Sequence, residues 1–185
     1  MKSFVIANQK GGVGKTTESR HLVHDGLRNK WRVLAADFDP QKNFTKSMLA
    51  QFAENFGSDA AIPPHLTVDS LFIDPKTKNK SEKANIALKP LDCGSNLSLI
   101  SATSALVDVP ELSMESIHFP RMHLDAIAND YDILVIDTPP TLGKTLYAAL
   151  IAGDFVICPC TMDQDAIDGL EELYGNIARV QQLGW

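Results

Sequence analysis

Eight consecutive residues carry the clearest chemistry in the sequence: Lys10, Gly11, Gly12, Val13, Gly14, Lys15, Thr16 and Thr17. Glycines let the backbone bend tightly and turn its N–H groups inward. A helix that starts within such a loop adds the partial positive charge of its N-terminus. We therefore predict that this stretch binds a polyphosphate, with Lys15 at the β- and γ-phosphates, the Thr16 hydroxyl on Mg²⁺ and Thr17 at the α-phosphate.

The loop departs at one position from the usual pattern G-x-x-x-x-G-K-[ST], because Gln9 stands where the first glycine is expected. Lys10 precedes the glycine pair and adds a second positive charge beside the predicted phosphates. A glycine-rich turn that binds nothing is the alternative. The order of an apolar strand, Gly-Lys-Thr-Thr and a helix favours the nucleotide site.

Two carboxylates, Asp37 and Asp39, follow the apolar run 31–36. Carboxylates at the carboxyl ends of strands in an α/β sheet face the ligand crevice. If the strand persists, both side chains point to the same side, because side chains alternate along a strand. One carboxylate can then support Mg²⁺ through water while the other orients an attacking water. A strand that simply ends in an Asp-Pro turn is the alternative, and the phosphate loop makes it the weaker one.

A third carboxylate, Asp137, ends the apolar run Ile133–Ile136 and precedes Pro139 and Pro140. An aspartate at the end of a buried strand is the Walker B arrangement. Mg²⁺ in proteins keeps several waters and binds few carboxylates directly. We therefore predict that Asp137 holds Mg²⁺ through a water.

The elements that position these residues alternate between apolar runs and helical patterns. Strands are predicted at 3–7, 31–36, 97–100, 133–136 and 155–158, and helices at 15–30, 43–56, 118–129 and 165–182. Apolar strands that alternate with helices predict an α/β fold, a mostly parallel sheet with helices on both faces. We expect one domain over residues 1–185, with an exposed, irregular insertion at about 57–92. A further strand should follow the last helix, so we also expect this domain to be incomplete at its C-terminus.

Composition narrows the class of protein. The net charge is −6, which argues against a surface coated with positive charge for nucleic acid. Residues 1–50 are nevertheless rich in Lys and Arg, and residues 125–185 are rich in Asp and Glu. The three cysteines favour a reducing compartment, and the N-terminus lacks the features of a signal peptide. We expect a cytoplasmic protein.

Three boxes together resemble the deviant Walker A motif and the two switches of the ParA/MinD superfamily of P-loop ATPases. They are Lys-Gly-Gly-Val-Gly-Lys-Thr-Thr at 10–17, Asp-Phe-Asp-Pro-Gln-Lys-Asn at 37–43 and Asp-Thr-Pro-Pro-Thr-Leu-Gly at 137–143. Their order and spacing match over nearly the whole chain. The sequence is most similar to the short ParA type, since no DNA-binding domain precedes the loop. Lys42 and Phe44 stand where the family often has Gly and Ala.

This resemblance implies a P-loop NTPase fold and a switch that hydrolyses ATP with Mg²⁺ in plasmid or chromosome partitioning. Lys10 would act on the nucleotide of a second subunit, Asp39 would position the attacking water, and Asp37 would lie near the metal. The expected catalytic set is then Lys10, Lys15 and Asp39. The implied partners are a second copy of the chain in the presence of ATP, a centromere-binding ParB-type protein and, for a full-length chain, non-specific DNA. The implied location is the nucleoid, with no membrane contact.

Two other functions stay open at this point. A nucleotide-binding fragment or regulatory homologue would bind ATP or ADP without dimerising or hydrolysing it. A MinD-like membrane-positioning ATPase would add a C-terminal amphipathic helix, which is not visible in the sequence. For the partition switch, we expect slow turnover by the chain alone, because its role is timing.

Overall fold

The computed structural model describes residues 1–52, 65–76, 89–161 and 164–182, with the side chains of 164–168 left aside. Much of the predicted insertion at 57–92, namely residues 57–64 and 77–88, lies outside these residues. The end of the predicted helix 43–56 lies outside them as well.

Strands and helices alternate through most of the described chain. The strands are β1 Lys2–Ile6, β2 Val33–Asp37, β3 Leu91–Gly94, β4 Leu97–Ile100, β5 Ile133–Asp137 and β6 Phe155–Ile157. The α-helices are α1 Lys15–Arg28, α2 Asn43–Phe52, α3 Phe119–Ala126, α4 Lys144–Ala152 and α5 Gln164–Gln182. Short 3₁₀ helices occur at Asp69–Phe72, Ser104–Glu111, Met114–His118 and Ala128–Asp130.

The strands form one sheet in the order β3-β4-β2-β5-β1-β6, and only β3 runs antiparallel to its neighbour. The predicted mostly parallel sheet is thereby confirmed. Strand β5 lies between β1 and β2, so the carboxyl ends of these three strands meet at one edge. Asp37 and Asp137 pair in register across β2 and β5, and Ile6 pairs with Asp137 across β1 and β5. The sheet therefore brings the phosphate loop and the two acidic boxes together.

Helices pack on both faces of the sheet, and β2 and β5 are therefore buried along their whole length. Alternate residues of each strand contribute to opposite cores. One core includes Val33, Ala35, Ile133 and Val135 with Val23 of α1 and Phe44 and Met48 of α2. The other includes Leu34, Ala36, Leu134 and Ile136 with Leu124 of α3, Ala149 of α4 and Leu173 of α5. Burial on two sides explains why these strands read as continuous apolar runs.

The prediction of an exposed insertion at 57–92 is wrong for its described part. Leu66, Val68, Leu71 and Phe72 are buried in the core. The end of this segment enters strand β3, where Cys93 is also buried. Turns and prolines interrupt this segment, so its apolar residues do not show the regular spacing of a helix or a strand in the sequence.

The predicted helix 118–129 is shorter than expected, since α3 ends at Ala126 and a 3₁₀ turn follows at Ala128–Asp130. Among the described residues, no helix combines the length and the apolar character needed to cross a bilayer.

Candidate nucleotide-binding site

The phosphate loop links the end of β1 to the start of α1. Gly12 and Gly14 have φ of 75° and 93°, in the left-handed region that favours glycine. A Cβ added at Gly11, Gly12 or Gly14 would meet no heavy atom within 4 Å, so the backbone there faces open space. The N-cap of α1 is Gly14, which offers no side chain to its first N–H groups. These donors are therefore positioned for an anion.

The loop forms one wall of a cleft of about 420 Å³. The lining combines the loop with both acidic boxes and consists of Gly11, Gly12, Gly14, Lys15, Thr16, Thr17, Asp39, Gln41, Asn43, Thr138 and Pro140. Six of the eight residues predicted for the phosphate loop line this cleft. Lys10 and Val13 are not part of the lining.

Lys15 lies in the cleft wall and is largely buried. Its Nζ donates to the carbonyl oxygen of Lys10 at 3.1 Å. Burial lowers the pKa of Lys15, and the nearby carboxylates of Asp137 and Asp39 partly oppose this effect. The ammonium group is thus held at the loop by a single carbonyl contact and by two nearby negative charges.

Asp137 is buried at the end of β5 and faces two hydroxyl groups of α1. Thr16 Oγ1 donates to Oδ2 at 2.8 Å, and Ser19 Oγ donates to Oδ1 at 2.7 Å. Burial raises the pKa of Asp137 to about 6, although the two hydroxyl donors oppose the rise. The predicted pair of metal-site residues, Thr16 and Asp137, is therefore in direct contact.

Asp37, like Asp137, is buried and is not among the residues that line the cleft, whereas Asp39 is. Strand β2 ends at Asp37. The Asp37 carboxylate is fully buried and accepts the N–H of Asp39 at 3.0 Å and the N–H of Thr45 at 2.7 Å. Burial raises its pKa, and these N–H groups oppose the rise. Asp37 therefore anchors the start of α2.

Asp39 does line the cleft, with 8% of its surface exposed. Its Oδ1 accepts the N–H of Gln41 at 2.8 Å, which fixes the turn after β2. Within the described chain, Oδ2 of Asp39 accepts no hydrogen bond from protein. One carboxylate oxygen is thus oriented and the other is available to a molecule in the cleft.

Sequence reasoning missed two residues that fix the start of the loop, where it leaves β1. Asn8 is buried, donates from Nδ2 to the carbonyl oxygen of Pro159 at 2.8 Å and accepts the N–H of Lys10 at Oδ1. Thr138 Oγ1 donates to the carbonyl oxygen of Ile6 at 2.8 Å. Thr138 stood within a recognised motif, whereas Asn8 carried only the weaker signal of a polar residue at the end of a buried strand.

The residues present fit a metal-bound nucleotide. The glycine backbone offers uncapped N–H groups and space, Lys15 supplies a cation, and Thr16 and Asp137 supply the oxygen donors that Mg²⁺ prefers. The sheet order and this cleft define the class of protein as a P-loop nucleotide-binding domain.

Comparison with known proteins agrees with this class. A family model described as an AAA domain, AAA_31, matches residues 1–183. Protein IncC of Escherichia coli is 34% identical over 184 residues, and the sporulation initiation inhibitor protein Soj of Bacillus subtilis is 33% identical over 186 residues. The chain therefore belongs to this AAA domain family.

A solved structure supports the same relationship. It is described as a plasmid partition protein of Borrelia burgdorferi bound to AMPPNP, and it matches with a TM-score of 0.78 and 27% identity. The match covers 97% of this chain and 71% of that one. Against the curated relatives, the matches cover 98% of this chain but 47% of IncC and 66% of Soj. The chain thus spans about half to two thirds of their length.

Proposed function

We propose that this chain is a switch that binds ATP with Mg²⁺ and hydrolyses it to ADP and phosphate in DNA partitioning. The observation that carries the proposal is the 2.8 Å hydrogen bond from Oγ1 of Thr16, which lines the glycine-rich cleft, to Oδ2 of the buried Asp137. This bond uses the only proton of the Thr16 hydroxyl and leaves its lone pairs for a cation. Such an arrangement suits a site built for a metal-bound polyphosphate.

The phosphate loop would bind the polyphosphate largely through main-chain N–H groups, and Lys15 would bind the β- and γ-phosphates. When bound, Mg²⁺ would neutralise phosphate charge at Thr16. The carbonyl oxygen of Lys10 now holds Lys15 Nζ at 3.1 Å, so binding exchanges this contact for phosphate oxygens. Because a neutral acceptor is replaced by a charged one, the exchange favours the nucleotide.

Asp39 would position the water that attacks the γ-phosphorus. A bond forms between the water oxygen and phosphorus, the bond to the β–γ bridging oxygen breaks, and ADP leaves. Asp39 fits this role because Gln41 fixes Oδ1 while Oδ2 is available in the cleft. Phosphoryl transfer depends more on positioning and charge than on strong basicity.

The proposed ATPase cycle also includes a change of oligomeric state and binding partners. ATP would favour a dimer in which Lys10 of each chain acts on the other chain's nucleotide, as the family resemblance implies. A ParB-type centromere-binding protein would stimulate turnover, and the full-length protein would bind non-specific DNA in the nucleoid-containing cytoplasm. The similarity of this chain to IncC and Soj supports this part.

Asp39→Ala tests the function, and Asp74→Ala is its matched control. Both aspartates precede a proline and accept the N–H of the residue two positions later, at 2.8 Å in each case. Only Asp39 lines the cleft. We expect slow phosphate release from the wild type and from Asp74→Ala, and none from Asp39→Ala despite unchanged ATP binding.

Light scattering of Asp39→Ala with Mg-ADP and with Mg-ATP then tests the dimer. A doubling of mass with ATP alone supports the switch. Nucleotide binding without phosphate release in the wild type would instead support the non-catalytic module. Phosphate release at the wild-type rate from Asp39→Ala would refute the role of Asp39.

A further inference from the structure

Ser19 makes a contact with Asp137 that the phosphate loop motif does not include. Ser19 lies one helical turn after Lys15 on α1 and is fully buried. Its Oγ is 2.7 Å from Asp137 Oδ1 and 3.0 Å from the carbonyl oxygen of Lys15. A hydroxyl has one proton, and the charged acceptor at the shorter distance takes it.

The two hydroxyls of α1 hold the two oxygens of the same carboxylate. Thr16 binds Oδ2, and Ser19 binds Oδ1 from the next position on the same helix face. Two donors at fixed positions set the plane of the Asp137 carboxylate, whereas one donor would leave it free to rotate. Within the described residues, Oδ1 of Asp137 accepts no other hydrogen bond.

We propose that Ser19 is a positioning residue of the metal–nucleotide site, whose hydroxyl fixes the orientation from which Asp137 holds water around Mg²⁺. This inference rests on the proposed Mg-ATP function. Ser19 would not touch nucleotide or metal, since it does not line the cleft. It would act on metal binding only through Asp137.

A serine that only stabilised the fold would affect nucleotide binding differently from one that orients Asp137. Loss of a buried hydroxyl that only supports the fold lowers stability and affects nucleotide binding equally with and without metal. Loss of a residue that orients a metal-site carboxylate weakens the metal-dependent part alone. Changes of this kind next to metal ligands typically cost about 10- to 100-fold in metal affinity.

The experiment measures the affinity of a fluorescent non-hydrolysable ATP analogue in EDTA and in saturating Mg²⁺. The ratio of the two affinities is the magnesium increment. We expect Ser19→Ala to lower this increment about 10-fold and to leave affinity in EDTA unchanged. The matched control is Ser116→Ala, which removes another buried hydroxyl, one that donates to the carbonyl oxygen of Ser113 at 2.8 Å away from the cleft. It should keep the wild-type increment.

A double-mutant cycle with Asp137→Asn shows whether Ser19 acts through Asp137. In that background, Ser19→Ala should cause no further loss of the increment. A further loss would overturn the inference, as would an equal loss in EDTA and Mg²⁺ or an unchanged increment in Ser19→Ala. Absence of any increment in the wild-type protein would overturn the proposed function itself, and this inference with it. Ser19→Cys, whose thiol is a weak donor, provides a second variant and should show the same loss.

Discussion

Asp37 and Asp137 are register partners at the ends of adjacent strands, yet different groups bind their carboxylates. Main-chain N–H groups of Asp39 and Thr45 bind Asp37, whereas hydroxyls of Thr16 and Ser19 bind Asp137. The donors to Asp37 belong to a turn and to the start of α2, whereas Thr16, a donor to Asp137, lines the cleft and keeps its lone pairs for a cation. The two neighbouring carboxylates therefore have different surroundings: Asp37 holds the start of α2, and Asp137 holds two hydroxyls of α1.

Asp37→Ala should destabilise the protein more than it alters metal-dependent nucleotide binding. The substitution leaves two buried N–H groups without an acceptor, and hydrogen bonds to charged groups contribute about 1.5–3 kcal/mol each. We expect a loss of about 3 kcal/mol in the free energy of unfolding, measured by urea denaturation. Asp39→Ala is the comparison and should cost less. Similar stability losses in both variants would contradict the anchoring role of Asp37.

Lys42→Gly should stabilise the protein. Lys42 has φ of 61°, and its N–H donates to the carbonyl oxygen of Asp39 in the turn before α2. A left-handed conformation costs an L-residue about 1–2 kcal/mol, which glycine avoids at some cost in chain entropy. We expect a net gain of about 0.5–1 kcal/mol in thermal or urea unfolding. Lys42→Ala removes the same charge but keeps the strain, so it should give no gain.

Gly153→Ala should destabilise the protein, in contrast to Gly175→Ala. A Cβ at Gly153 would overlap Cγ2 of Val5, in the packed junction between α4 and β1. Such overpacking costs about 1–3 kcal/mol. A Cβ at Gly175 meets nothing within 4 Å, and alanine is favoured over glycine in a helix by about 1 kcal/mol. Opposite shifts of the thermal midpoint are expected, and equal shifts would contradict the packing described for Gly153.

The pair Arg32–Asp132 should make stability depend on pH in acid. The guanidinium and main-chain N–H groups of Arg32 lower the pKa of Asp132 from its ordinary value of 3.8 to about 2. The folded pKa is below the unfolded one, so the unfolded state takes up the proton first as pH falls. The contribution of this ion pair to stability is complete above about pH 4 and is lost as pH falls through about 2. Because both side chains are exposed, the ion pair contributes little to the free energy of unfolding.

Thermal midpoints between pH 5 and pH 2 test this pair. Asp132→Asn should unfold at a lower temperature at pH 5 and lose less stability than the wild type on acidification. The control is Asp25→Asn, which removes an exposed ion pair with Arg28 at 3.9 Å. In this variant the thermal midpoint should change with pH as steeply as in the wild type. If the thermal midpoint of Asp132→Asn falls with pH as steeply as that of the wild type, the assigned pKa of Asp132 is contradicted.

Local patterns predicted most elements that build the site. The apolar runs before Gly11, Asp37 and Asp137 are strands β1, β2 and β5, because strands buried on both faces need apolar residues throughout. The glycine loop and the start of α1 also follow from short-range preferences. The buried segment Leu66–Phe72 did not follow, since its apolar side chains pack through 3₁₀ turns rather than a helix or strand with regular spacing.

The sequence by itself determined which residue types could bind a metal-bound polyphosphate, because backbone flexibility, charge and strand burial are properties of short stretches. Only the tertiary structure decided which of these residues contact one another. Placement of β5 between β1 and β2 sets Asp137 against Thr16 and Ser19, although Ser19 is 118 residues away in the chain. At the end of β2, Asp37 is buried against the start of α2, and Asp39 lines the cleft two residues later. Strand order and strand ends depend on packing over the whole sheet, so no local pattern contains them.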